Sequence, residues 1–530
     1  MTMKTLYPAL ICALLTACPV YLWGASKDFG EGLANASAPR LLTNANQQHN
    51  HWSGIGRIRN DKALCTATLL DTRDEQGISG PAYIITSSHC IHRVSGAVIK
   101  DQVLKGHISF NYFDDTLEQL KTYPLKTLKW GSSHGVDLAL IELDIPLSAL
   151  ISNGIEPMKL AEDLPDEARP ILALIVPEWN TLHLSACLQQ ASQEVVEQPF
   201  VWRVTMKNQC KGVQSGAFGA PLVDRATNTL FGILSSTTIG QAAAKKCQRD
   251  APCEVRDGKA SWHADSNYGS PVVFLKHCFV EGVLTDNEQT CNLYPATSIT
   301  FSSPEPLQQY FVKRPGDKGR NITPSWNLEF TTTSRLYRYK AVRRASECEN
   351  PVHYSPPINS HNASINDPIG PQTGMHLLCI LGVESDQAVS NSAMRNALTL
   401  AVELAEPAAT RAPDVSIVLD RQFLQRYTVI WNLAPPFMSR YTYKFGPAQR
   451  TDCLAPEGYR TLPPKRSDTE ESDDAEDLFG MPPLDQAPDA PHQKFAQIIS
   501  THNQPIKICT YAFDQAGRPS DLRVDLLKPR

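Results

Sequence analysis

The sequence predicts a mainly β chain built from more than one domain. Between residues 51 and 312, short apolar runs rich in β-branched residues alternate with turn residues and show no helical period. Beyond residue 316 the chain repeats a strand-rich unit once, with matching tryptophans, tyrosines and cysteines. The 39 prolines outnumber the 29 glycines, which favours strands and turns over long helices. At 530 residues the chain exceeds what one hydrophobic core serves.

Residues 1–24 read as an export signal. Lys4 supplies the leading charge and "LYPALICALLTAC" the apolar stretch. "LTAC", ending at Cys18, resembles a bacterial lipobox, in which the cysteine is lipidated after cleavage. An ordinary cleaved signal and an uncleaved anchor are the alternatives, because residues 6–25 carry no charge and are about long enough to cross a bilayer. Residues 25–50, rich in Asn, Gln, His and Ala, read as a flexible linker. Histidines such as His49 and His51 can bind metals, but a solvated linker is the simpler reading.

Within 51–312, "ALCTATLL", "AYIITSS", "VDLALIEL", "APLVD" and "LFGILSS" read as strands, with "DRATNT" as a hairpin turn between the last two. "SPEPLQQYFVK" at 303–313 reads as a short closing helix capped by Ser303. The repeat occupies 316–410 and 411–530. Each copy carries "WNL" (Trp326, Trp431), then "YRYK" or "YTYK" (Tyr337, Tyr441), then "CENPVHY" or "CLAPEGY" (Cys348, Cys453). A second cysteine and an alternating strand close both copies. This length and alternation suit a β-sandwich, with Trp and Tyr as core anchors. The units resemble immunoglobulin or fibronectin type III domains, and the simplest role for such units is a stalk. The second copy holds an insertion at 465–492 with nine acids and two bases, read as a disordered acidic loop.

Fourteen cysteines are present. Setting aside Cys12 in the signal and Cys18 leaves 14 − 2 = 12, which in an exported chain read as disulfides. Nearest-neighbour pairing gives Cys65–Cys90, Cys187–Cys210, Cys247–Cys253, Cys278–Cys291, Cys348–Cys379 and Cys453–Cys509. Among the four cysteines from 247 to 291, other pairings remain open. No doubled zinc-type spacing occurs, so neither a metal nor a cofactor is expected. A net charge of −5 gives no argument for nucleic-acid binding.

Three motifs resemble those of trypsin-like (chymotrypsin-fold) serine peptidases. "CTATLLD…AYIITSSHC" is similar to the cysteine strand and histidine loop, which implies a catalytic role for His89 and a flanking Cys65–Cys90 bond. "HGVDLALIEL" is similar to the aspartate motif and implies Asp137 as the acid. "CKGVQSGAFGAPLV…LFGILSS" is similar to the nucleophile loop and the substrate-aligning strand, placing Ser235 in the latter. The resemblance implies a double six-stranded β-barrel over about half the chain, followed by the two sandwiches.

A serine hydroxyl needs an imidazole to take its proton, a buried carboxylate to orient that imidazole, and backbone amides facing the oxyanion. In the gap-free register, Gly219 and Pro221 fit the family pattern and Phe218 stands where the serine belongs. In a register counted from Cys210, Ser215 imitates the nucleophile after an insertion. With Phe218 in place the chain is expected to be inactive, the ring resting over His89 or in the specificity pocket. It would then bind a polypeptide or cell-surface ligand on a bacterial envelope, with membrane contact only through its N-terminal lipid or anchor. With Ser215 as nucleophile it would be an active endopeptidase. A purely structural stalk is the third reading. The oligomeric state is left open.

Overall fold

The apolar runs close into barrels because both faces of most strands are buried. A computed structural model describes residues 27–529 except 61–63, 93–95, 179–180, 303–309, 316–320, 387–388, 407–410, 421, 424, 434–437, 464–492 and 515–516. Six strands form the first barrel: Ile55–Arg59, Leu64–Leu69, Pro81–Thr86, His107–Phe110, Lys121–Ser132 and Leu138–Pro146. The long strand Lys121–Ser132 pairs with both His107–Phe110 and Leu138–Pro146, which closes the cylinder. Ile58, Leu69, Ile84, Ile108, Phe110, Leu128 and Ile141 fill it.

In the second barrel the neighbours run His183–Leu188, Pro170–Ile175, Pro221–Asp224, Leu230–Thr237, Asn267–Pro271 and Phe200–Asn208. A bridge between Gln189 and Asn208 joins its ends. Strands Gln193–Glu197, Cys253–Arg256 and Lys259–Ser261 extend this sheet past Phe200–Asn208. The architecture is a trypsin-like double barrel followed by two β-sandwiches.

The segment expected as a free linker is instead built into the fold from residue 27 onward. Arg40–Leu41 pairs with Leu184 and His183 of the second barrel. Leu42 is buried, and Phe29 and Leu33 pack on the same core. Asp28 receives two bonds from the Arg225 guanidinium, at 2.6 and 2.8 Å. A few apolar anchors and the ion pairs of Asp28 with Arg225 and Glu31 with Arg40 outweigh the polar composition. His49 stacks on Trp52 and bonds Glu31 through Nε2 at 2.9 Å, so it too is part of the packing.

The short helix expected at 303–313 is not found where that stretch is described. Tyr310–Val312 is a strand, parallel to Glu403–Ala405. Phe311 enters the sandwich core, which requires an extended backbone there. Ile299–Phe301 likewise pairs with Phe330–Thr332. Both strands therefore belong with the unit expected to begin at 316.

Each sandwich faces two sheets across an aromatic core. The first centres on Trp326, Phe330 and Tyr337, the second on Trp431, Tyr441 and Tyr443. The duplicated motifs build one device twice. Lys340 Nζ donates to the carbonyls of Asn350 (2.6 Å) and Val352 (3.1 Å) and lies over the Tyr354 ring. Lys444 Nζ donates to Ala455 (2.5 Å) and Glu457 (3.4 Å) and lies over Tyr459. Each tyrosine hydroxyl donates back to the carbonyl of its cysteine, Cys348 at 2.7 Å and Cys453 at 2.8 Å. The ammonium thus closes a loop that its disulfide also ties down.

All six nearest-neighbour disulfides are present. The export signal, Cys12, Cys18 and the acidic insertion at 465–492 lie outside the described residues. Among the described residues, no helix is long and apolar enough to cross a membrane.

Candidate functional site

The end of strand Pro81–Thr86 and the start of strand Leu138–Pro146 bring His89 and Asp137 together. Asp137 is buried. Its Oδ2 lies 2.6 Å from His89 Nδ1, and its Oδ1 accepts the His89 backbone N–H at 3.0 Å. Two bonds to one carboxylate fix both the ring and the chain that bears it. Behind Asp137, its own backbone N–H donates to Ser270 Oγ at 3.1 Å, and Ser270 Oγ lies 2.8 Å from Ser235 Oγ. Ser235 therefore supports the aspartate from the second barrel through Ser270.

Phe218 faces the imidazole. Its ring centroid is 5.0 Å from that of His89 at an interplanar angle of 76°, an edge-to-face contact. The half-buried ring also packs on the core of the first barrel. Its backbone is held on both sides. Thr66 N donates to Phe218 O at 3.0 Å, and Gly219 N donates to Leu234 O at 2.7 Å. Gly219 has φ +83°, and a Cβ there would stand 2.1 Å from the Thr66 carbonyl oxygen, so only glycine fits. Among the described residues, the amides of Gly216 and Phe218 donate to no protein acceptor.

Ser215 is exposed and its hydroxyl donates to Glu178 Oε2 at 2.6 Å, while its carbonyl accepts the Glu178 N–H at 2.9 Å. The structure thus brings His89, Asp137 and Phe218 together and gives the Ser215 hydroxyl to Glu178.

Residues that the motifs did not reveal complete the site. Thr66 Oγ1 donates to Gly216 O at 2.8 Å and so staples the 216–219 turn to the first barrel. Its place beside Cys65 was the available signal. Nothing in the sequence marks Glu178. Glu197 is buried, with its carboxyl pushed up to about 7 chiefly by burial; it accepts from Trp202 Nε1 (3.2 Å) and Asp250 N (3.0 Å). His134, three residues before Asp137, is held down at about 4 by burial.

The grouping of metal-type ligand atoms found among the described residues is Cys65, His89 and Cys90, and its two sulfurs form a disulfide. A cavity of about 300 Å³ lies away from the dyad, lined by Lys27, Asp28, Asn35, Arg169, Pro170, Arg225 and Ala226.

No family model matches the chain, and no curated protein does. Solved structures similar to it include the active form of the Rv3671c protease from M. tuberculosis, at 12% identity over 45% of this chain and 88% of that one, with a TM-score of 0.28. The HtrA-type protease AlgW with a tripeptide is 11% identical over 68% of this chain and 96% of its own, with a TM-score of 0.31. Protease Anisep from Arthrobacter nicotinovorans is 11% identical over 42% and 91%, with a TM-score of 0.28. The double-barrel architecture itself rests on the strand pairings of this chain.

Proposed function

We propose that this chain is a trypsin-fold polypeptide-binding protein that does not cleave what it binds. The observation that carries this reading is the phenylalanine ring set edge-on against His89, at the end of a turn whose flanks keep their hydrogen bonds. A benzyl group offers no nucleophile and no proton for the imidazole. The nearby alternative, Ser215, has its hydroxyl on a carboxylate. The amides of Gly216 and Phe218, which meet no acceptor among the described residues, suit a bound carbonyl oxygen, which favours a polypeptide ligand.

A fluorophosphonate probe added to the purified chain is expected to leave it unlabelled. Labelling that vanishes in Ser215→Ala and survives in Phe218→Ala would replace this reading with an active endopeptidase. The site of action proposed is a bacterial envelope, reached by export and lipidation at Cys18. Recovery in the membrane fraction should then be lost in Cys18→Ala, and unchanged recovery counts against the anchor. A passive stalk is the weaker alternative, because the first sandwich packs against the barrels rather than standing off them.

A further inference from the structure

We infer that Arg203 is a positioning residue that pins the Asp137 loop between the second barrel and the first sandwich, so that the Asp137–His89 contact depends on the sandwich being docked. The inference concerns the geometry of the dyad and holds whether or not the chain cleaves peptides.

Arg203 lies in strand Phe200–Asn208, and its side chain is 4% exposed. Its backbone N–H donates to Gly135 O at 3.1 Å, and Nη2 donates to His134 O at 3.4 Å. On its other side, Nη1 donates to Ala397 O at 2.9 Å and Thr399 Oγ1 at 3.3 Å, and Nη2 also donates to Arg395 O. Glu349 balances the charge at 3.4 Å from Nε. The guanidinium therefore joins the His134 carbonyl to three carbonyl or hydroxyl oxygens of the sandwich, while the backbone N–H of the same residue holds Gly135.

Gly135 is shaped for this contact. It has φ +71°, and a Cβ there would stand 2.4 Å from the guanidinium carbon. A second tie runs beside the first: His134 Nδ1 lies 3.1 Å from Asn396 O. The sandwich also bonds the chain at Gly96 and Val98, where Ile299 N donates to Gly96 O at 2.8 Å and Ser298 Oγ donates to Val98 O at 2.8 Å. The sandwich thus grips the loop that carries Asp137 and the start of the strand that follows the His89 turn in sequence.

Comparison of the two repeats shows that this face is specialised for docking. Thr399 lies opposite Cys379 in its sheet, as Val524 lies opposite Cys509. Ala401 lies opposite Leu377, as Leu526 lies opposite Lys507. Glu349 follows Cys348 as Leu454 follows Cys453. In the first copy the small Thr399 and Ala401 are buried and Ala401 packs with Val196 and Val201 of the barrel extension. In the second copy Val524, Leu526 and Leu454 are exposed, and the arginine acceptor is gone.

The test is proton NMR of the full chain, following the low-field ring proton shared between His89 and Asp137 and the pH titration of the His89 imidazole. Arg203→Met keeps the volume and removes the five donors. The expected result is a folded chain whose low-field signal is lost or moved upfield and whose His89 titration moves to lower pH as the carboxylate loosens. A folded Arg203→Met chain with both signals unchanged overturns the inference. Gly135→Ala displaces the guanidinium without deleting it and provides the readout if Arg203→Met does not fold. It should lose the same signal, and an unchanged signal in folded Gly135→Ala is likewise fatal to the inference.

Discussion

Replacing Phe218 by serine asks whether the turn at 216–219 still forms a nucleophile site. The cost comes first. A phenylalanine buries some 150–250 Å² when fully enclosed, so the half-buried Phe218 ring gives up about 100 Å², or about 2–3 kcal/mol. The edge contact with His89 contributes about 0.5–1.5 kcal/mol more, and a serine hydrogen bond to the imidazole returns about 1 kcal/mol. A net loss of about 2 kcal/mol lowers Tm by roughly 4–8 °C for a unit of this size. The gain is chemical. The sequence alone left open that the loop had drifted, yet the Phe218 carbonyl and the Gly219 amide are both hydrogen-bonded in place. Phe218→Ser should therefore become reactive to a fluorophosphonate, while the native chain and Phe218→Ala are not, and Phe218→Ser with His89→Ala should lose that reactivity. Turnover of casein should stay low, because an error of about 1 Å at such a site costs on the order of a hundredfold. Labelling of Phe218→Ser no faster than Phe218→Ala would refute the view that the site differs from a working one chiefly at this side chain.

Two further outcomes follow from buried charge. His51 and His134 are both held down at about 4 by burial, against an ordinary 6.5, so their contribution to stability is complete above pH 6.5 and is lost as pH falls toward 4. Glu197 has the opposite sign: the unfolded chain releases its proton near 4.5 and the folded chain near 7, so stability is lost as pH rises between them. Glu197→Gln should raise Tm relative to the native chain at pH 8 but not at pH 4.5, a difference on the order of 1–3 kcal/mol by calorimetry; equal effects at both pH values would contradict the assignment. Lys444→Met should destabilise the second sandwich by about 1–3 kcal/mol, read as faster amide exchange in strand Ile506–Phe513, with Lys340→Met acting likewise in the first; unchanged exchange would mean the ammonium carries no structural load.

Much of the fold was legible because it is written locally. The strands before and after Phe218 announce themselves by β-branched runs, and the six cysteine pairs all join neighbours in sequence. The aromatic and cysteine spacing gave the duplication. What escaped was set by contacts between distant residues. Arg203 meets Ala397 across a separation of 194 residues, and nothing near either one signals the other. The polar composition of 27–50 concealed three anchors, Phe29, Leu33 and Leu42, too sparse to make a period. At the site, the motifs named His89, Asp137, Phe218, Ser215 and Ser235. The partners that define their geometry, Ser270, Thr66 and Glu178, are ordinary residues whose importance arises only when the barrels meet.

The lysine-closed loops carry a consequence for how this chain can vary. In both copies the tyrosine follows its cysteine by six positions, and the two carbonyls that receive the ammonium fall at the second and fourth positions after that cysteine. Adding or deleting one residue would turn a carbonyl away from the cation that it now receives in the sheet. These loops are accordingly frozen in length, unlike most surface connections. The extra length of the second copy lies instead between Arg460–Leu462 and Gln493–Ser500, where an acidic segment leaves the spacing of the cysteine and the tyrosine the same as in the first copy.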